Sequence, residues 1–279
     1  MKTVHLASAN AKALCYDTER SALRPNLTFV DLNGQIVFET NELGLKGDPV
    51  DPHRKLAVVW GDSVVFSHGR GWPCLLERLA PGYQFLNGGI EGDPYKNILR
   101  RASEFNERHR VALNLLMLGW HLFVPSWWPR RPTLSDESEA KHICNGNEDL
   151  RRGLTSFLER TPNTVLLTVP TALNRRIVDR PLSPYLREGD EDIGFHFFGD
   201  IGREVEGQRE AFDYILERNA ITREVCAQLR IRVVDLYAAF DTEREPDFRE
   251  HFSDALHPRP RSYPRLAQIV YDNIKDMLA

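Results

Sequence analysis

The chain lacks the features that assign a simple role at first sight. Lys and Arg (36) do not outnumber Asp and Glu (40), and a formal charge of -4 leaves no basic excess for binding phosphate backbones. No apolar run approaches the ~20 residues that a membrane-spanning helix needs. Cysteine is sparse: Cys15, Cys74, Cys144 and Cys226 are widely separated, with no CxxC pair and no zinc-finger spacing. Free thiols are therefore expected rather than a disulfide framework or a structural metal site. Internal repeats and low-complexity tracts are missing as well. Residues Met1–Leu6 show no continuous apolar core before Asn10, Lys12 and Asp17. A secretory leader is not expected from such a start, and a cytoplasmic location is.

What is present is an ordinary globular composition, 42% hydrophobic and 27% charged over 279 residues. That length fits one large domain or two small ones. Residues 1–55 are polar and turn-rich. Two short apolar pieces, Leu27–Val30 and Ile36–Phe38, flank Asn33-Gly34, which is a strong hairpin signal. This region is expected to form a β-rich annex packed on the core, ending in the turn at Gly47-Asp48-Pro49.

From residue 56 the pattern changes. Apolar runs recur at Leu56–Trp60, Tyr83–Leu86, Leu113–Leu118, Val165–Val169 and Ile231–Val234. Unbroken runs suit strands of a parallel sheet covered on both faces, whereas a half-exposed strand alternates. Amphipathic helices are expected between them. One starts near Glu206, with Phe212, Ile215, Leu216, Val225 and Leu229 on one face. Another is capped by Asn147-Glu148-Asp149 and carries Leu150, Leu154, Phe157 and Leu158. Strand and helix in alternation predict an α/β core with its chemistry at the carboxyl edge of the sheet. Long loops at 122–146 and 171–205 both follow predicted strands and would cover that edge.

Two fragments can carry chemistry. Gly61-Asp62-Ser63 directly follows the first core strand, so a serine hydroxyl would stand at the sheet edge beside a helix N-terminus. The bland alternative is a turn with an N-capping serine. Near the end of the chain, Asp254-Ala255-Leu256-His257 spaces a carboxylate three residues from an imidazole. One turn would let Asp254 orient His257, leaving the other ring nitrogen to take a proton from a serine. A helix-capping arrangement is the competing reading.

With these fragments in this order, the sequence resembles the SGNH (GDSL-type) hydrolases. The segment Leu86-Asn87-Gly88-Gly89-Ile90-Glu91-Gly92-Asp93 resembles the second block of that family, and Val233–Tyr237 its last core strand. Thr40-Asn41-Glu42-Leu43-Gly44-Leu45-Lys46-Gly47 looks like a lead-in of bacterial members linked to glycan modification. The likeness spans roughly residues 40–279. It implies a three-layer α/β/α sandwich over a five-stranded parallel sheet in order 2-1-3-4-5, with residues 56–279 as the catalytic domain. It further implies Ser63, Asp254 and His257 as catalytic residues, with oxyanion donors at Ser63, Gly92 and a third position. That third position departs from the pattern: the family's Asn is His121 here, in Leu118-Gly119-Trp120-His121-Leu122, and the Asp that follows it is Leu122. An imidazole N–H can still donate; otherwise the site is altered.

Weaker candidates surround these. Trp120, Trp127 and Trp128 are read either as a sugar-stacking or acyl-binding wall or as a lid packed on the core. Asp62 and His196 are further substrate-side candidates, and His68 another at the entrance. Arg130, Arg131, Arg175 and Arg176 would either receive an anionic substrate group or sit solvated. Glu91 and Asp93 read as turn stabilisers. No cofactor and no metal are expected. The expected partner is a small-molecule or glycan ester, with no nucleic acid and no membrane. The expected activity is a serine esterase (EC 3.1.1-like) releasing a short acyl group, acetyl foremost, from a sugar or other polar scaffold. The alternatives are an acyltransferase using the same Ser-His-Asp site and a non-catalytic binding module on a decayed hydrolase.

Overall fold

The computed structural model describes residues 2–5, 15–17, 22–67, 69–118, 147–175, 178, 205–240, 251–252 and 256–278. Strands β1 (Lys2–His5), β4 (Leu27–Val30) and β5 (Ile36–Glu39) form one small sheet, and β2 (Tyr16–Asp17) pairs with β3 (Ala22–Leu23). β4 and β5 are antiparallel, as Asn33-Gly34 predicts. Asp31 closes their turn, its carboxylate accepting the Asn33 and Gln35 N–H groups at 2.8 Å each. β1 runs parallel to β4. Phe38 meets Phe66 of the core edge-on, with ring centroids 5.3 Å apart.

The core sheet contains β6 (Lys55–Gly61), β7 (Tyr83–Gly89), β8 (Leu113–Met117), β9 (Thr164–Leu167) and β10 (Val233–Val234). All its pairings are parallel, and the spatial order is β10-β9-β8-β6-β7. Counting core strands from the first, that order is 2-1-3-4-5, the one the resemblance implies. Successive residues point to opposite faces, and both faces are covered. Ala57 and Val59 of β6 enter the same cluster as Leu115, Met117, Val165 and Leu167. Val58 and Trp60 enter the other, with Leu86, Leu116 and Leu166. This double burial is why the strands read as predominantly apolar runs rather than as an alternation.

Helices α1 (Ser63–Phe66), α2 (Leu76–Leu79), α3 (Tyr95–Arg108), α4 (Asn147–Arg160), α5 (Val205–Leu229), α6 (Leu236–Ala239) and α7 (Tyr263–Ile274) flank the sheet. Val64 and Val65 of α1, Leu76 of α2 and Leu266, Val270 and Ile274 of α7 cover one face. Ile98, Leu99 and Ala102 of α3 and Leu150, Leu154 and Phe157 of α4 cover the other. α5 serves both: Phe212 and Ile215 belong to the first cluster, Ile221 and Val225 to the second. Asp235 ties the far side of the sheet together. It caps α6 through Ala238 N–H at 3.1 Å, accepts Thr168 Oγ1 at 2.9 Å, and pairs with Arg223 at 2.7 Å.

β7 runs three residues beyond its apolar stretch, through Asn87-Gly88-Gly89, and all seven of its residues are buried. Its polar extension is bridged to Lys46: Lys46 N–H donates to Asn87 O at 2.9 Å and Asn87 N–H to Lys46 O at 2.8 Å. No helix among the described residues is long and apolar enough to cross a membrane. Cys15, Cys74 and Cys226 are free thiols.

Candidate active site

β6 ends at Gly61, and the next residue caps the short helix that follows. Asp62 is buried, and its carboxylate accepts the Val64 N–H at 3.0 Å. This places Ser63 at the first position of α1, at the carboxyl edge of the sheet. The helix sits very close to the strand ends. A Cβ on Gly89 would lie 2.7 Å from the Val65 carbonyl carbon and nearer still to the Phe66 nitrogen. Only glycine permits that approach.

His257 arrives from the other end of the sequence, between Phe252 and α7. Its Nε2 lies 2.7 Å from Ser63 Oγ. With the ring proton on Nδ1, Nε2 accepts the Ser63 hydroxyl, so the pair is arranged for proton transfer out of the serine. The loop bearing His257 is fixed at both ends. Phe252 forms a bridge with Pro258, and Arg259 donates through Nε to Phe252 O at 2.9 Å and through its backbone N–H to His251 O at 2.8 Å.

Gly92 sits in the turn between β7 and α3 with φ +74°. Ile90 N–H donates to Gly61 O at 3.1 Å, binding this turn to the strand that delivers Ser63. The turn is anchored below by an ion pair. Arg101 Nε and Nη2 reach Asp93 Oδ2 at 3.0 and 2.5 Å, and Nη1 donates to Gly88 O at 2.9 Å. Both side chains are buried, and burial pushes the Asp93 carboxyl above its usual range against the pull of Arg101. Asp93 thus ties the turn to α3 through a buried salt bridge. Glu91 is exposed in the same turn.

The structure therefore brings together Asp62, Ser63 and His257, and places Gly92 on a turn tied to the same strand end. Asp254, Trp120, His121, Trp127, Trp128, His196, His68, Arg130, Arg131 and Arg176 lie outside the described residues. Arg175 is exposed. A cavity of about 230 Å³ opens beside the end of β7, with Trp60, Gly88, Ile90, Arg101 and Phe105 among its lining residues. Neither Ser63 nor His257 lines it. Among the described residues no group of three or more His, Cys, Asp or Glu is placed to hold a metal ion.

Sequence reasoning missed two polar side chains behind α1. Lys46 is fully buried. Its Nζ donates to Phe66 O and, at 2.9 Å, to Ser67 O. Asn87, also fully buried, directs Nδ2 to Val65 O at 2.8 Å and Phe66 O at 3.1 Å, while its Oδ1 accepts Gly89 N–H at 2.9 Å. The available signal was an Asn beside glycines inside a buried strand, where a polar side chain must find partners.

No family model matches the chain, and no curated protein matches it in sequence. Solved structures match it in fold. A lipase/acylhydrolase from Enterococcus faecalis superposes with a TM-score of 0.51 at 17% identity, covering 80% of this chain and 96% of that one. A member of the lipolytic G-D-S-L family from Veillonella parvula gives 0.52 at 14% identity, covering 79% and 98%. An acetylxylan esterase from Geobacillus stearothermophilus gives 0.52 at 18% identity, covering 79% and 94%. Two further neighbours are catalytic mutants of that esterase, one with a serine and one with a histidine changed to alanine. The chain thus has the fold of GDSL-type acylhydrolases over most of its length.

Proposed function

We propose that the chain is a serine esterase in which Ser63 is the nucleophile. The observation that carries this is the 2.7 Å contact between Ser63 Oγ and His257 Nε2 at the carboxyl edge of the sheet. A decayed binding module has no need of a serine and an imidazole in proton-transfer contact. The neighbours' acylhydrolase and acetylxylan esterase activities support the reaction class.

In the proposed cycle, His257 Nε2 takes the Ser63 proton as Oγ attacks the acyl carbonyl. Asp254 holds the resulting imidazolium through Nδ1. The carbonyl oxygen becomes an oxyanion, received by the backbone N–H groups of Ser63 and Gly92 and by the His121 side chain. Preorganised donors at that point stabilise the transition state by about 2.7–4 kcal/mol each. His257 then protonates the departing alcohol, leaving an acyl-serine. Water, deprotonated by His257, releases the acid and restores Ser63. The proposed substrate is a short acyl ester, acetyl foremost, on a sugar or similar polar scaffold.

The test is a fluorophosphonate probe together with an ester panel of varied acyl length, including sugar acetates, with Ser63→Ala run alongside. Labelling of wild type alone and free acetate as product are expected. Equal behaviour of the two proteins removes Ser63 as the nucleophile. Predominant transfer of the acyl group to an added sugar acceptor assigns an acyltransferase instead.

A further inference from the structure

The nucleophile helix is too short to hold itself. α1 spans only Ser63–Phe66, whereas an isolated helix needs roughly 12–15 residues before it is even marginally stable. Its last carbonyls have no helical partners of their own and require donors from elsewhere. Ser67 Oγ and Trp72 Nε1 donate to Val64 O, and two further side chains serve Val65 and Phe66. Asn87 Nδ2 reaches Val65 O, Phe66 O and, at 3.0 Å, Arg70 O. Lys46 Nζ reaches Phe66 O and Ser67 O, and lies 3.8 Å from the centroid of the Phe66 ring.

Lys46 is an expensive residue to place there. A buried ammonium loses its hydration, and no carboxylate among the described residues pairs with it. The local sequence is organised to deliver it. Asn41 Oδ1 accepts the Leu43 and Leu45 N–H groups at 3.0 and 3.1 Å, shaping the Thr40–Gly47 segment. The Lys46 backbone is then paired in both directions with Asn87. The same two residues are thus joined to each other by main chain and to α1 by side chain. Asn87 extends the lattice to Gly89 N–H, at the start of the turn that carries Gly92.

We propose that Lys46, acting with Asn87, is a positioning residue: it clamps the carboxyl end of α1 and so holds Ser63 Oγ in register with His257 Nε2. The inference rests on the esterase reading and deepens it. Neither residue touches the reacting atoms. Its consequence is kinetic, because a displacement of about 1 Å at a nucleophile can cost around 10²-fold in rate.

The experiment compares wild type, Lys46→Met, Lys46→Gln and Ser63→Ala on an aryl acetate, with active sites counted by fluorophosphonate titration. Counting sites removes any loss of folded protein from the comparison. Lys46→Met keeps the apolar stem and removes the donors; Lys46→Gln retains N–H donors one atom short of the ammonium position, and it carries the test if the methionine variant fails to fold. Expected is a fall in kcat per titrated site of tenfold or more in Lys46→Met, a smaller fall in Lys46→Gln, and KM within about twofold of wild type. A merely structural lysine would lower melting temperature and leave kcat per site unchanged. If wild type is active and the variants turn over within twofold of it per site, this inference is overturned and the esterase stands. If wild type behaves as Ser63→Ala, the esterase reading fails and this inference falls with it.

Discussion

The imidazole Nε2 of His257 and the hydroxyl Oγ of Ser63 lie 2.7 Å apart across 194 positions of sequence. In the proposed mechanism the two act as one unit, because the serine is a poor nucleophile without the base that takes its proton. Ser63→Ala and His257→Ala are each expected to lower kcat by at least about 10³-fold, and the double variant no further. Turnover of an aryl acetate by the three proteins checks this. Additive losses in the double variant would show that the residues work independently.

Gly89→Ala is expected to impair activity out of proportion to the single methyl added. The new Cβ would press on the backbone at Val65 and Phe66, and backbone cannot rotate away as a side chain can. α1 must shift, carrying Ser63 with it. A drop of about 10²-fold in kcat is expected from a displacement near 1 Å, with fold retained by circular dichroism. Wild-type kcat in Gly89→Ala would show that the helix seat is softer than its geometry implies.

Asn114, the second residue of β8, lies fully buried and accepts Trp60 Nε1–H at 2.9 Å, while exchanging hydrogen bonds with Asn106 at 3.0 and 3.1 Å. Asn114→Leu removes the acceptor and leaves the indole N–H and the Asn106 amide without it. A loss of about 1–3 kcal/mol per orphaned group is expected in denaturant unfolding. An unchanged unfolding midpoint would contradict it.

Breaking the buried Asp93–Arg101 pair is expected to be costly, because Arg101→Met leaves a carboxylate buried without its cation. Removal of one partner of such a pair typically costs about 3–5 kcal/mol. Arg101→Met should therefore lower melting temperature sharply at pH 7. It should recover part of the loss as the pH is lowered into the acid range, because a carboxyl that burial holds above its usual range takes up a proton sooner there. The melting curve of the variant across that pH range is the measurement.

Lys46 makes a prediction of opposite sign. Burial pulls its ammonium down to about 7 from an ordinary 10.5. Cys74 and Glu91 are the groups whose charge opposes that shift. Below about pH 7 the lysine is charged in both folded and unfolded chains, and the full desolvation cost opposes folding. Between there and 10.5 the unfolded chain binds the proton more strongly, so the cost fades as pH rises. The stability of wild type relative to Lys46→Met should therefore grow with pH over that interval, with a slope approaching 1.4 kcal/mol per unit. A flat difference between pH 7 and pH 10 would contradict the downward shift of the buried lysine. A neutral amine keeps two N–H groups for the two carbonyls, so the clamp itself persists through the titration.

Local order in this molecule was legible because it is written as periodicity. Doubly covered strands appear as unbroken apolar runs such as Leu56–Trp60, α4 as a capped amphipathic stretch from Asn147, and the β4–β5 hairpin as Asn33-Gly34. Strand order 2-1-3-4-5 came from resemblance rather than from any residue pattern. α3 is less legible: Tyr95, Ile98, Leu99, Ala102 and Phe105 keep helical spacing, but no side chain caps its first turn. β7 reads as stopping at Leu86, since Asn87-Gly88-Gly89 has no strand propensity; its parallel ladder with β6 carries it on to Gly89.

By itself the sequence determined the alternation of strand and helix, the presence of a serine just past the first core strand, and an Asp-x-x-His segment before the last helix. Those properties belong to neighbours in the chain, where backbone geometry and side-chain period suffice. Only the tertiary structure decided that Ser63 meets His257, that Asp93 is answered by Arg101, and that a lysine in a turn-rich lead-in lies buried under α1. Such contacts depend on how distant segments pack once water is excluded. No local spacing encodes that, and a lysine read along the chain looks like a solvated surface charge until the fold encloses it.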